Sequence, residues 1–311
     1  MATEVNVRGT SPAPTRTAPT YSKWTRDNIE NRVFGVLRWV VIAFLLLITI
    51  FPFYYTVVLS IRPLEQVLQD PGALWVGPSE WVLDSYRTVL RPSDDGGQGF
   101  VTFMRNSAVV AFSTVALTLL VGLPGAYAVS RLEFFGRRQV SGLFLAVYLF
   151  PSILLAVPLF VFFTRIGLRG SLIGLLIVYV SQIVAVSIYM LRNYFDTIPV
   201  SLEEAASIDG ASRLGIMWRI SLPLAKPAIM ANALFVFMIA WNEFLFALLF
   251  LVEKRDRWTV SLGLSQLAGS IEIPTTVLMA GSVLVTLPII IIFFASERLL
   301  TEGLTAGAEK G

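Results

Sequence analysis

The feature that most constrains this chain is a series of apolar blocks, each about as long as a helix needs to be to cross a hydrocarbon core about 30 Å thick. They fall near residues 36–61, 106–130, 139–164, 171–191, 228–252 and 277–296. In lipid every main-chain N–H and C=O must be satisfied internally, so blocks of this length predict an all-α, polytopic membrane protein with six transmembrane helices. Composition agrees, with 55% hydrophobic and 14% charged residues against roughly 45–50% and 25% in a soluble domain. The Lys and Arg residues lie between the apolar blocks rather than in one patch. The net charge of +3 therefore reads as membrane flanking and not as a nucleic-acid surface.

Residues 1–35 are polar, with Thr, Pro and Ala frequent up to Thr20, and predict a disordered cytoplasmic tail. The first apolar block has a full span's length and no small-residue cleavage pattern after it, which predicts a retained span. With the N-terminus inside, fifteen of the 24 Lys and Arg residues fall on the cytoplasmic side, so both termini are expected inside. Residues 36–298 then form the membrane domain and 299–311 a cytoplasmic C-terminal tail. Trp75, Trp81 and Tyr86 predict that the outer segment 62–105 packs on the membrane interface, and Pro92–Gly99 reads as a flexible insertion. Prolines 52, 124, 151, 158 and 288 lie inside spans and permit kinks.

Absences narrow the chemistry. The chain has no cysteine and no histidine, which excludes disulfides, thiol nucleophiles, His/Cys metal sites and a Ser-His-Asp triad. None of its four lysines follows a glycine, so it holds no phosphate loop of the Gly-Lys-Ser/Thr kind. If the chain does driven work, the energy comes from elsewhere.

The connector between the fourth and fifth spans, residues 199–227, is not an ordinary loop. Ser201 and Glu204 have capping-box spacing just after Pro199, predicting a short helix that continues through Leu202, Ala205, Ala206 and Ile208. Asp209-Gly210 ends it, because glycine adopts the left-handed conformation at low steric cost. Leu214, Met217, Trp218 and Ile220 predict the apolar face of a second short helix, stopped by Pro223. Such a hairpin either rests on the lipid surface or presents its small Ala205-Ala206 face to another protein.

The run Glu204-Ala-Ala, three residues, Gly210, nine residues, Ile220, one residue, Leu222-Pro223 resembles the EAA loop of bacterial ABC importer permeases. Arg192-Asn-Tyr-Phe before Ile198-Pro199, Pro151–Leu159, Trp241-Asn-Glu-Phe244 and Glu302–Ala308 resemble the carbohydrate branch, in particular the smaller permease of maltose-type systems. Together these stretches cover the chain from about residue 36 to its end. The resemblance implies the type I ABC importer permease fold. It also implies an ATPase homodimer that binds ATP and magnesium, a second and distinct permease, and an extracytoplasmic solute-binding protein. On it Glu204, Ala205, Ala206, Asp209, Gly210, Ile220, Leu222 and Pro223 contact the ATPase, and Gly303, Leu304, Thr305, Ala306 and Gly307 form a second contact. The chain itself is expected to bind no cofactor and to catalyse nothing.

Of the 21 acidic residues, Glu243 alone falls well inside a span, where a charge is costly and usually faces a cavity or a partner. Asn232, three helical turns earlier, shares its face, and Asn242 flanks it. Tyr179, Gln182, Tyr189 and Asn193 form a stripe on the fourth span. Amide, hydroxyl and aromatic groups suit a sugar or short oligosaccharide, and the same residue types serve interhelical hydrogen bonding. Another polar solute, such as glycerol phosphate, is the nearest alternative, although no Arg or Lys stands mid-span to meet an anion. A secondary transporter or an intramembrane enzyme is disfavoured by the single buried acid, the lack of an internal repeat, and the missing His and Cys.

Overall fold

The computed structural model describes residues 26–308, with side chains described at residue 30 and over 32–298. The described residues form helices and connecting turns, with no strand. Four helices are long and apolar enough to span a bilayer unaided: α1 (Arg26–Ile61), α4 (Phe100–Arg131), α7 (Leu172–Phe195) and α14 (Thr275–Ala308). Between them lie α2 (Leu64–Gln69), α3 (Asp84–Leu90), α5 (Arg137–Leu149) and α6 (Ile153–Arg165). After α7 come α8 (Val200–Ile208), α9 (Arg213–Ile216), α10 (Leu222–Leu224), α11 (Lys226–Asn242), α12 (Leu245–Leu251) and α13 (Val260–Gly269).

The six apolar blocks map onto this scheme with two interruptions. The third block is not one rod. It is the pair α5 and α6, bent by 94° at Phe150–Ser152, where Pro151 removes a main-chain donor and restricts the residue before it. Pro52, Pro124, Pro158 and Pro288 sit inside continuous helices, so of the five span prolines only Pro151 stands at a break. The fifth block is α11 and α12, interrupted at Glu243 and Phe244, with no proline involved.

Helix extends past the expected boundary at both ends. The expected tail 1–35 is already helical from Arg26, and 1–25 lie outside the described residues. At the other end α14 continues through Glu302 to Ala308, so 299–308 are helical and continuous in backbone with the last span, which ends at Arg298. The side chains of Gly303–Gly307 lie outside the described residues.

Contacts divide the chain within α1. The unit ending at Tyr54 is one body and the remainder, from Tyr55, is another. In the first, the large apolar side chains from Val33 to Phe53 are exposed, as on a helix whose neighbours are lipid or other subunits. In the second, α4, α7, α11 and α14 enclose the main core, with Phe100, Phe103, Leu175, Tyr179, Val236 and Phe250 almost wholly buried. Trp241 Nε1 donates to Val285 O on α14 at 3.0 Å. Asn106 Nδ2 donates to Asp256 O and Trp258 O at 2.9 and 3.0 Å, tying α4 to the turn before α13.

The 92–99 segment is not the free insertion that its Gly, Ser and Asp content predicts. Its main chain is closed by Gly97 N–H to Pro92 O (2.9 Å) and Gly99 N–H to Arg91 O (2.9 Å). Arg255 reaches it from the other side of the sequence, donating to Ser93 Oγ at 3.3 Å and Gln98 O at 3.4 Å. Trp75 and Trp81 are exposed, and the Tyr86 hydroxyl is hydrogen-bonded to Ser60 Oγ at 2.8 Å.

Candidate functional site

The 199–225 elbow is built by local rules that differ from the expected ones at its start and its end. Pro199, with φ −58° and ψ 125°, occupies the N-cap of α8 and makes no side-chain cap. It starts the helix one residue after itself, which puts Ser201 inside the first turn. Helical backbone there cannot aim a side chain back at the N–H groups, so the Ser201–Glu204 capping box does not form.

The C-terminal end follows expectation. Gly210 has φ +84°, Gly210 N–H meets Ser207 O at 3.1 Å, and Ala211 N–H meets Ala206 O at 3.0 Å. This is the paired bonding of a Schellman turn. Ser212 caps the second arm by accepting from Gly215 N–H at 3.2 Å. Met217–Ser221 then widens into a π-helical turn. Pro223 does not stop the arm. It sits within helix that runs unbroken from Arg213 to Leu224, directly after the π turn, and the chain breaks two residues later at Ala225. The axis turns by 77° into α11.

The predicted apolar face of the second arm divides in two. Ile216, Met217 and Leu222 are buried, while Leu214 and Trp218 are 69% and 63% exposed and Ile220 is half-buried. On α8, Glu204, Ala205 and Ile208 face outward, with Ile208 87% exposed. Asp209, Gly210 and Pro223 are exposed and Ala206 is half-buried. The elbow thus shows an outward surface of Ile208, Leu214 and Trp218 edged by Glu204 and Asp209. Several large apolar side chains left exposed on one hairpin are characteristic of an interaction surface.

Sequence reasoning missed how the elbow is held. α8 buries a single side chain, and it is Glu203, not the neighbouring Glu204. Glu203 Oε1 accepts from Arg131 Nε at 2.9 Å and from Ser221 Oγ at 2.8 Å, and Oε2 accepts from Tyr127 OH at 3.1 Å. Arg131 also donates to Ile198 O at 2.7 Å. Beside this cluster Ser130 Oγ donates to Asp196 Oδ1 at 2.5 Å. Consecutive residues on a helix point about 100° apart, so the pair Glu203-Glu204 signals one inward and one outward carboxylate. Which is which depends on Arg131, 72 positions away.

Within the membrane the predicted residues separate into two kinds. Tyr179, Asn232 and Glu243 lie between helices. The Tyr179 hydroxyl donates to Glu243 Oε2, while Glu243 Oε1 and Oε2 accept from Phe246 N–H (2.8 Å) and Ala247 N–H (3.2 Å). Glu243 therefore closes the open N-terminus of α12. Ser187 Oγ donates to Asn232 Oδ1 at 2.5 Å, joining α7 to α11. Asn232 and Glu243 both bond to α7, but Glu243 lies past the end of α11 in extended backbone, so the two do not share a face of one continuous helix.

The α7 stripe does not share one environment. Tyr179 is buried, Gln182 and Tyr189 are partly buried, and Asn193 is exposed. Asn242 is exposed and donates to Met238 O at 2.8 Å. Gln182 borders a cleft of about 320 Å³ at the α5–α6 bend, together with Tyr148, Phe150, Ser152 and Ser181. Its Nε2 is buried without a hydrogen-bond partner.

Comparisons with known proteins agree with this architecture. Residues 115–305 match the family model described as the binding-protein-dependent transport system inner membrane component. The chain is 37% identical, over 87% of its length and 94% of the relative's, to the inner membrane ABC transporter permease protein YcjP of Escherichia coli. It is 36% identical, over 92% and 99%, to the trehalose/maltose transport system permease protein MalG of Thermococcus litoralis. A solved bacterial ABC transporter involved in import of the acidic polysaccharide alginate superposes with TM-score 0.73 at 26% identity, covering 90% of this chain and 99% of that one. With its spans, its elbow and these matches, the chain belongs to the family of binding-protein-dependent transport system inner membrane components, the permease subunits of ABC importers.

Proposed function

We propose that this permease carries a sugar or short oligosaccharide inward, one of two distinct permeases that enclose the pathway. An extracytoplasmic binding protein delivers the cargo, and a homodimeric ATPase, which holds the ATP and magnesium, drives alternating access. The elbow lies on the cytoplasmic side with both termini, in keeping with the distribution of Lys and Arg. The observation that carries the reading is the elbow's shape: an exposed Ile208–Leu214–Trp218 surface on a hairpin rooted in the bundle through Glu203. The carbohydrate named for the Thermococcus and alginate relatives supports the cargo class.

For the pathway, Gln182 is the residue of choice among the in-span candidates. Its unpartnered amide and the rings of Tyr148 and Phe150 suit hydroxyls and C–H faces of a sugar. Tyr179, Asn232 and Glu243 serve helix packing, which uses the same residue types.

The test is reconstitution of the whole complex in proteoliposomes with labelled trehalose, maltose and glycerol 3-phosphate. ATP-dependent uptake of a sugar is expected. The double substitution Ile208→Asp/Trp218→Ser should leave insertion intact and release the ATPase during purification. Uptake of glycerol 3-phosphate alone would overturn the cargo, and full ATPase retention by the double variant would overturn the docking surface.

A further inference from the structure

Neither Glu203 nor any of its partners is a fixed position of the EAA pattern. Yet, whereas the second arm packs on the bundle through Met217 and Leu222 in an apolar cluster with Ala126 and Tyr127 of α4, the first arm is held by this one carboxylate. A nine-residue helix with a single buried side chain has no apolar grip on the bundle. Three elements instead meet at Glu203: the end of α4 through Tyr127 and Arg131, α8 itself, and the π turn through Ser221. The carboxylate is 10% exposed and the Arg131 side chain 8%. Arg131 reaches past it to Ile198 O, so the guanidinium also fixes the peptide that leads into α8. Buried charges are retained only where paired and hydrogen-bonded, and here the Glu203 carboxylate also accepts from two hydroxyls, Tyr127 and Ser221.

We infer that Glu203 is a positioning residue that makes the elbow and α4 one moving body, so that displacement at the ATPase surface is delivered to the second span through Arg131 and Tyr127. Covalent connection joins the elbow only to α7 and α11. Non-sequential contact with α4 adds a third member to the linkage, made by the apolar packing of Met217 and Leu222 for the second arm and by the Glu203 cluster for α8. This rests on the proposed role of the elbow.

The experiment uses the assembled complex and two mild variants, Glu203→Gln and Tyr127→Phe, with Arg131→Met for a double-mutant cycle. Three quantities are read: ATPase retained, ATP hydrolysed, and sugar taken up per ATP. Retention and hydrolysis should stay near native values while uptake per ATP falls about tenfold, within the coupling energies measured for contacting pairs. Glu203→Gln and Arg131→Met together should do no more than either alone.

A readout independent of cargo follows from the absence of cysteine. Spin labels on Val200→Cys and Leu120→Cys, both exposed and both outside the docking surface, should keep one separation with and without ATP in otherwise native protein and change it in Glu203→Gln. A native pair that separates on ATP binding overturns the proposal, as does unchanged uptake per ATP in every variant. So does loss of the ATPase from both mild variants, which would make the cluster a folding element only. Failure of the native complex to import any sugar would instead count against the cargo reading and leave the label distances to decide this one.

Discussion

Gly210→Ala tests the elbow with little ambiguity, because structure separates its two possible effects. A Cβ built on Gly210 meets nothing within 4 Å, so alanine creates no clash inside the chain. What remains is the backbone. At φ +84° a residue with a Cβ incurs about 1–2 kcal/mol relative to glycine. That shifts the balance between the native turn and relaxed alternatives by a factor of about 5–30. The three main-chain bonds closing the turn (Asp209, Gly210 and Ala211 N–H at 3.0–3.1 Å) are the ones given up in the relaxed forms. ATPase retained by affinity-purified complex in detergent should fall by a comparable factor at subsaturating ATPase, with insertion and thermal stability of the membrane domain unchanged. Asparagine, which tolerates this region better, should fall between. Gly210→Trp carries similar backbone strain, so any further loss measures a partner occupying the open space around residue 210. If alanine and tryptophan both retain the ATPase fully, then neither the left-handed turn nor the space beside it matters for docking.

Gly263→Ala should destabilise the membrane domain, because its Cβ would lie 2.5 Å from the Phe103 ring. A loss of about 1–3 kcal/mol should appear as a lower melting temperature in detergent, and Phe103→Leu should restore part of it. Glu243→Leu should lower stability more than Tyr179→Phe. The first strips the cap from two main-chain N–H groups, whereas the second removes one donor for about 1–3 kcal/mol. Their combination should be less than additive, since both act on one carboxylate.

The spans were legible because bilayer thickness imposes a length that no local detail changes. Where a span is interrupted was not. Hydropathy is an average over many residues, and neither the 94° bend at Phe150–Ser152 nor the gap at Glu243-Phe244 alters it. A proline marks the first, but four other span prolines mark nothing, since a helix tolerates one where neighbours re-satisfy the freed carbonyl. Gly210 was readable from sterics alone. The α8 cap was not, because Pro199 pre-empts the serine two residues later. Likewise 92–99 has the composition of a loose loop and is held by Arg255, more than 150 residues onward. The choice between Glu203 and Glu204 belongs to the same class. Local chemistry names both, and only a distant arginine decides.

The interrupted fifth span has a mechanical consequence. In a continuous helix, tilting one half against the other sacrifices ladder bonds in a medium that offers no replacement. At Glu243 and Phe244 the ladder is already open, and a carboxylate from the same segment occupies the vacated positions on Phe246 and Ala247. Bending at that point therefore opens no further ladder bond, and the half beyond residue 244 is held instead by the Gly170 N–H to Phe250 O bond (2.9 Å) and, through Glu243, by the Tyr179 hydroxyl.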